Sequence, residues 1–302
     1  MRNTPKFSQF VLPLAGIVLL LATSRCQKDA VTVPPTETDV HFLGHKGGGN
    51  IDYNSKHIES TIPSIQDGLK TMNGVEIDMQ LSLDGTIWMY HDTDLGRSSC
   101  KSNFHRNLIV MKDVDIEKLQ VCIGNNQDRI YKLDELIALW KNTANGFFIS
   151  MEVKLDFPAD TINSPLIKGE AAYLSRFVVS MAKLFPDVKY KNQLMLEVYD
   201  AKFCTMIHAA IPEMKVCLIK DVTFPQQIND AIALGYDGVS CNFNDPTLTA
   251  QEVQRARNNG LIVELWTPDT IDELTKALNL HPHFIQTDNL DAISLLNVTV
   301  IP

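Results

Sequence analysis

Apolar runs of strand length, alternating with amphipathic stretches of helical period, constrain this chain more than any other feature of its 302 residues. The runs fall at 40–44, 74–79, 147–152, 193–198, 214–219, 236–240, 261–266 and 283–287. Most are near-continuous blocks of Val, Ile, Leu, Met or Phe, as expected of strands covered on both faces. Between most of them lie segments with apolar residues at helical spacing, at 62–72, 133–143, 168–184, 199–210, 225–234, 249–259 and 270–279. Asn73-Gly74, Asn145-Gly146, Leu234-Gly235 and Asn259-Gly260 act as helix stop signals directly ahead of strands. Alternating strands and helices build a parallel sheet, because each parallel pair needs a crossover that a helix supplies. The repeated units predict an α/β protein folded as a closed (β/α)8 TIM barrel over residues 40–302. An open, doubly wound sheet is the alternative.

The residues that break the apolar pattern fall where such a barrel places its chemistry, at the carboxyl ends of the strands. His45 ends the first run, Glu76 and Asp78 lie in the second, and Glu152 and Lys154 end the third. Trp266 closes the seventh run, Asp288 follows the eighth, and His91-Asp92 lies in the long connection after the second. Strand residues two apart share a face, so Glu76 pairs with Asp78 and Glu152 with Lys154. Two imidazoles, three carboxylates and a lysine converging at one mouth suit metal-assisted phosphoryl chemistry. Left unpaired in a core, the same groups would be costly. A formal charge of −9 and the lack of a Lys/Arg-rich run exclude a nucleic-acid backbone binder. An acidic protein that acts on an anionic ester needs local positive charge from a cation.

Neighbouring residues carry plainer expectations. Gly47-Gly48-Gly49 lacks the spacing of a dinucleotide loop and reads as a flexible loop, with a backbone nest for a phosphate as the alternative. Asp84-Gly85 reads as a turn, Asp92 as a residue that orients its neighbours, and Asp288 as a hydrogen-bonding group at the last strand. Glu59 divides evenly between a place beside a metal and a role in its own loop. Trp266 is either core or a wall for the substrate alcohol. His41, His57, His105, His208, His281 and His283 have no partner pattern and are assigned to surface or packing.

Arg2 and Lys6 precede an apolar stretch, Phe10 to Ala22, of export-signal length. Cys26 after Leu21-Ala22-Thr23-Ser24-Arg25 resembles the lipobox of bacterial lipoproteins, although Arg25 stands where a small residue is usual. The expectation is a signal over 1–25, a lipid anchor on Cys26 at the cell envelope, and a tether over 26–39. Ordinary cleavage and a soluble secreted product is the alternative. Export permits disulfides. Cys100 and Cys122 bracket a polar stretch and are predicted to bridge, while Cys204, Cys217 and Cys241 are predicted to be buried thiols.

The ordered set of motifs resembles the glycerophosphodiester phosphodiesterase family across residues 40–297. The matching elements are His45-Lys46-Gly47, Glu59-Ser60-Thr61, Glu76-Ile77-Asp78, Asp84-Gly85, His91-Asp92, Glu152-Val153-Lys154, Trp266-Thr267 and Thr287-Asp288. The resemblance implies the phospholipase-C-like type of barrel and a divalent cation, Ca2+ or Mg2+, on Glu76, Asp78 and Glu152. It assigns proton transfer to His45 and His91 and substrate contacts to Lys46, Lys154 and Trp266. The implied substrate is a small glycerophosphodiester, and no protein partner is implied. Lys46 stands where the family has arginine and Ser60 where it has asparagine, two changes that bear on substrate preference. A phospholipase of D or phosphatidylinositol-specific C type, acting on intact lipids, is one rival; a non-catalytic lipoprotein that binds phosphate esters is another.

Overall fold

Parallel pairing carries the sheet through a full circle. The computed structural model describes residues 35–49, 56–96, 99–100, 104–143, 146–185 and 191–301. Its barrel strands are β1 (His41–Gly44), β2 (Gly74–Leu81), β3 (Phe148–Val153) and β4 (Leu194–Val198). They continue as β5 (Lys215–Ile219), β6 (Gly238–Asn242), β7 (Ile262–Trp266) and β8 (Phe284–Thr287). Each is parallel to the next, and β8 pairs back onto β1 with Thr287 opposite Gly44. That last pairing closes the barrel and removes the open-sheet alternative.

The crossovers are α1 (Ile62–Gly68), α2 (Leu133–Asn142), α3 (Glu170–Leu184), α4 (Ala201–Ala210), α5 (Phe224–Leu234), α6 (Ala250–Asn258) and α7 (Ile271–Asn279). Local chemistry sets their ends. Thr270 and Glu273 form a capping box on α7, Asp200 accepts from Phe203 N at 2.7 Å to start α4, and Thr61 caps α1 ahead of a proline. Gly235 stops α5 at φ 78°, a conformation glycine adopts without strain.

Strand parity sorts the side chains. Phe42, Val75, Ile77, Ile149, Leu196 and Val198 face the helices in one large core. Inside the barrel, Leu43, Met195 and Phe284 plug the amino-terminal end, with the His41 ring tilted against Phe148 at 4.5 Å between centroids. Inward positions turn polar toward the carboxyl end. The sheet thus builds an apolar floor under a polar mouth.

Residues 82–132 form an insertion that the sequence pattern leaves as loop. Ile87–Met89 runs antiparallel to the end of β2, and Gln120–Ile123 forms a hairpin with Asn126–Arg129. These strands are too short to show a period. They surround a second small core that includes Trp88, Leu108 and Val121. Asp113 ties the insertion to the barrel, accepting from Ser82 Oγ at 2.6 Å and Trp88 Nε1 at 3.0 Å. Asp84 accepts from Asp113 N at 2.8 Å and Gly85 takes φ 90°, so Asp84-Gly85 is the expected turn. Cys100 and Cys122 are disulfide-bonded, and the other three described cysteines are buried thiols.

One boundary is corrected. Thr36–Thr38, placed in the tether, forms a parallel strand with Val298–Val300 and belongs to the folded body. Backbone pairing accounts for this, because the ladder satisfies main-chain groups that a tether leaves to water. The expected export signal and the expected lipid anchor on Cys26 lie outside the described residues.

Candidate active site

The turn after β1 is tightly held, not flexible. Gly47 and Gly49 take φ 90° and 77°, and a Cβ on Gly68 of α1 would meet Gly47 O at 2.2 Å. Only glycines let the helix and the turn approach this closely. Lys46 itself takes φ 52°, and its N–H donates to Glu76 Oε2 at 2.8 Å. The turn therefore delivers His45 and Lys46 to the edge of the carboxylates on β2.

Glu76 and Asp78 point inward from β2, and register places Glu152 of β3 beside Asp78. Oxygens of Glu76, Asp78 and Glu152 all lie within 4.8 Å of one another. Glu76 Oε1 and Asp78 Oδ2 are buried without a hydrogen-bond partner among the described residues. Burial first, then the charges of Asp78 and Glu197, pushes Glu76 well above the usual carboxylate range. Burial also raises Glu152, over the opposing pull of Lys154. Burial would raise Asp78 too, but Lys154, His91, Lys46 and His45 together hold it below its ordinary value. Unmet hard oxygen acceptors converging in this way fit a hard divalent cation.

Lys154 sits on this cluster, with Nζ 3.0 Å from Asp78 Oδ1 and 2.8 Å from Glu152 Oε1. Burial lowers its pKa, and the two carboxylates more than reverse that. The resemblance implies a substrate contact for Lys154; the structure shows it first as the counterion of two proposed ligands.

The two histidines are built alike. His45 Nδ1 lies 2.8 Å from Asp288 Oδ1, and His91 Nδ1 lies 2.8 Å from Asp92 Oδ1. An aspartate at Nδ1 selects the tautomer with its proton there and leaves Nε2 to exchange protons. Asp288 is itself held by Asp269, whose Oδ1 accepts from Asp288 N at 2.7 Å and from Thr287 Oγ1 at 3.0 Å. Both histidines, both lysines, Asp78 and Glu152 line one cavity of about 1100 Å³. Trp266 lines it as well and is half-buried. Glu59 is drawn to Lys46, with Oε2 3.7 Å from Nζ, and lies close to His91 and Asp92. Ser60 is buried and its Oγ has no hydrogen-bond partner among the described residues.

Residues 45–292 match the model of the glycerophosphoryl diester phosphodiesterase family. The chain belongs to that family. It is accordingly a phosphoric diester hydrolase. No curated protein sequence matches it. Solved structures share its fold at low identity. One from Silicibacter pomeroyi has a TM-score of 0.72 at 15% identity, covering 89% of this chain and 97% of its own. An Oleispira antarctica phosphodiesterase, solved with the product sn-glycerol-3-phosphate, has a TM-score of 0.67 at 16% identity, covering 85% and 96%. A Parabacteroides distasonis glycerophosphodiester phosphodiesterase has a TM-score of 0.65 at 15% identity, covering 87% and 98%.

Sequence reasoning missed two acids of this phosphodiesterase. Glu197 of β4 and Glu264 of β7 point into the barrel, and both are buried. Burial raises both pKa values, with Glu152 adding to Glu197 and Glu197 to Glu264. The available signal was one acid inside each apolar run, Leu194-Met195-Leu196-Glu197-Val198 and Val263-Glu264-Leu265. Asp269 left no comparable mark.

Proposed function

We propose that this enzyme hydrolyses glycerophosphodiesters to sn-glycerol 3-phosphate and an alcohol, with Ca2+ or Mg2+ held by Glu76, Asp78 and Glu152. The observation that carries the reading is the pair of aspartate-oriented histidines on a cavity that also holds unmet, buried carboxylate oxygens. The product-bound Oleispira relative supports the substrate class. When bound, the cation offsets charge on the phosphate oxygens.

The protein's own groups do the rest. One neutral imidazole takes a proton at Nε2 from the attacking water as the new O–P bond forms. The other imidazole, protonated, gives its Nε2 proton to the alkoxide as the P–O bond to the alcohol breaks. Asp288 and Asp92 stabilise each ring in its charged state and keep Nε2 facing the phosphorus. Lys46 offers positive charge at the rim of the cavity. Lys154 balances the carboxylates and stands ready for a non-bridging oxygen. Trp266 gives the alcohol an aromatic wall.

We further infer export and anchoring through a lipidated Cys26 at the bacterial cell envelope. The apolar stretch and the lipobox-like segment support this. Alcohol release from glycerophosphocholine, glycerophosphoinositol and intact phosphatidylcholine, with and without EDTA, tests the activity. Release from the first two, lost in EDTA, is expected. Preferential release from intact lipid would make the enzyme a phospholipase, and no release with cation present would leave a binding protein.

A further inference from the structure

His45 follows directly from a barrel strand, but His91 and Asp92 lie on a strap, residues 90–92, that has no regular secondary structure. One side chain of β2 grips that strap. The odd positions of β2, Val75, Ile77, Met79 and Leu81, face the helices in the large core. The even positions share the opposite face, so Gln80 follows Glu76 and Asp78 in one inward row. Gln80 is fully buried, and it is not among the residues that line the cavity, whereas Asp78 and His91 are.

Its amide faces three consecutive carbonyls. Nε2 donates to Asp92 O at 2.7 Å and to Tyr90 O at 3.0 Å, and it lies 3.4 Å from His91 O. An amide has two N–H donors, so the two short contacts take them and the third sits at the outer limit. Turning the amide over would set Oε1 against the same three oxygens, so its surroundings fix its orientation. Oε1 has no hydrogen-bond partner among the described residues.

The two bonds bracket the functional pair. The Tyr90 carbonyl belongs to the peptide plane that precedes His91, and the Asp92 carbonyl to the plane that follows Asp92. Fixing both planes fixes where the two side chains leave the backbone, and with it the 2.8 Å contact of His91 Nδ1 with Asp92 Oδ1. Other ties hold the ends of the strap: Tyr90 N donates to Asp78 O at 3.0 Å, and Asn107 Nδ2 to Thr93 O at 2.6 Å. Gln80 holds its middle.

We propose that Gln80 is a positioning residue for the reaction, its amide clamping the 90–92 strap so that His91 stays aimed into the cavity. The proposal rests on the proton-transfer role given to His91 above. One strand then sets both the proposed cation ligands and the place of His91 relative to them.

Gln80→Met keeps the length of the side chain and removes both donors. On glycerophosphocholine at saturating Ca2+, its kcat should fall about 10²-fold, the scale of a misplacement of about 1 Å, with KM little changed. A double-mutant cycle separates positioning from general loosening. In a His91→Ala background the same substitution should leave kcat nearly unchanged, because no imidazole remains to be misplaced. An equal fall in both backgrounds, or a Gln80→Met with wild-type kcat beside an inactive His91→Ala, overturns the proposal alone. Near-wild-type turnover by His91→Ala overturns the proton-transfer reading and the proposal with it. The rise in Tm on adding Ca2+ should match that of wild type; a smaller rise places the damage on Glu76 and Asp78 and overturns the proposal. Gln80→Asn, which keeps the donors but draws them back by one methylene, serves where Gln80→Met does not fold. It should show a smaller fall in kcat with the same dependence on His91, and a fall that persists in His91→Ala overturns the proposal.

Discussion

Glu76→Gln should make the cation-free protein more stable and leave it unable to respond to cation. Glu76 is 2% exposed, its Oε2 accepts from Lys46 N at 2.8 Å, and its Oε1 has no partner among the described residues. Asp78 and Glu197 add repulsion. Glutamine keeps a carbonyl oxygen for Lys46 N–H and can turn its amide toward Asp78 Oδ2, the other unpartnered oxygen. Relieving an unsatisfied buried polar group is worth roughly 1–3 kcal/mol, so a net gain of about 2 kcal/mol is expected. For a domain of this size that raises Tm by about 4–8 °C. Saturating cation reverses the order. At a hundred times Kd the wild type gains about 2.7 kcal/mol, and a variant missing one carboxylate ligand gains little. Thermal melts at pH 8 in EDTA and in Ca2+ or Mg2+ measure both effects. A variant that melts below wild type in EDTA, or that keeps the wild-type cation shift, would refute the reasoning.

Three further outcomes are expected. His45→Ala and His91→Ala should each lower kcat on a glycerophosphodiester by about 10²–10⁴ while circular dichroism shows the fold retained; near-wild-type turnover by either variant would remove that residue from proton transfer. His283 Nδ1 accepts from Val263 N at 3.0 Å, which only a neutral ring can do, and burial pushes its pKa down to about 4. A folded pKa below the free value of 6.5 means the stability is present above that pH and is lost as pH falls toward 4. Discounted for the ring's partial exposure, the loss is about 2 kcal/mol. Urea melts at pH 7 and 4.5 should show that much less acid loss in His283→Gln. Opening the Cys100–Cys122 bridge, a sequence separation of 22, should cost about 3 kcal/mol by chain entropy, read from urea unfolding with and without reductant.

The sequence by itself determined the barrel and most of its chemical mouth, because both depend on short-range periodicity. Strand parity alone puts Glu76 with Asp78 and points both inward, and helix stop signals such as Leu234-Gly235 act within a single turn. The glycines after His45 read as loose until α1 approaches them to packing distance. His45 and Asp288 are 243 residues apart and meet only when β8 pairs with β1, which also brings Asp269 to hold Asp288. Lys154 reads as a phosphate contact until β2 and β3 align and two carboxylates claim its ammonium. Glu197 and Glu264 are the sharpest case, each a lone acid in an apolar run, 67 residues apart in a chain that shows nothing linking them. Closure of the barrel put one serine between them, its Oγ 2.8 Å from Glu197 Oε1 and 3.0 Å from Glu264 Oε2.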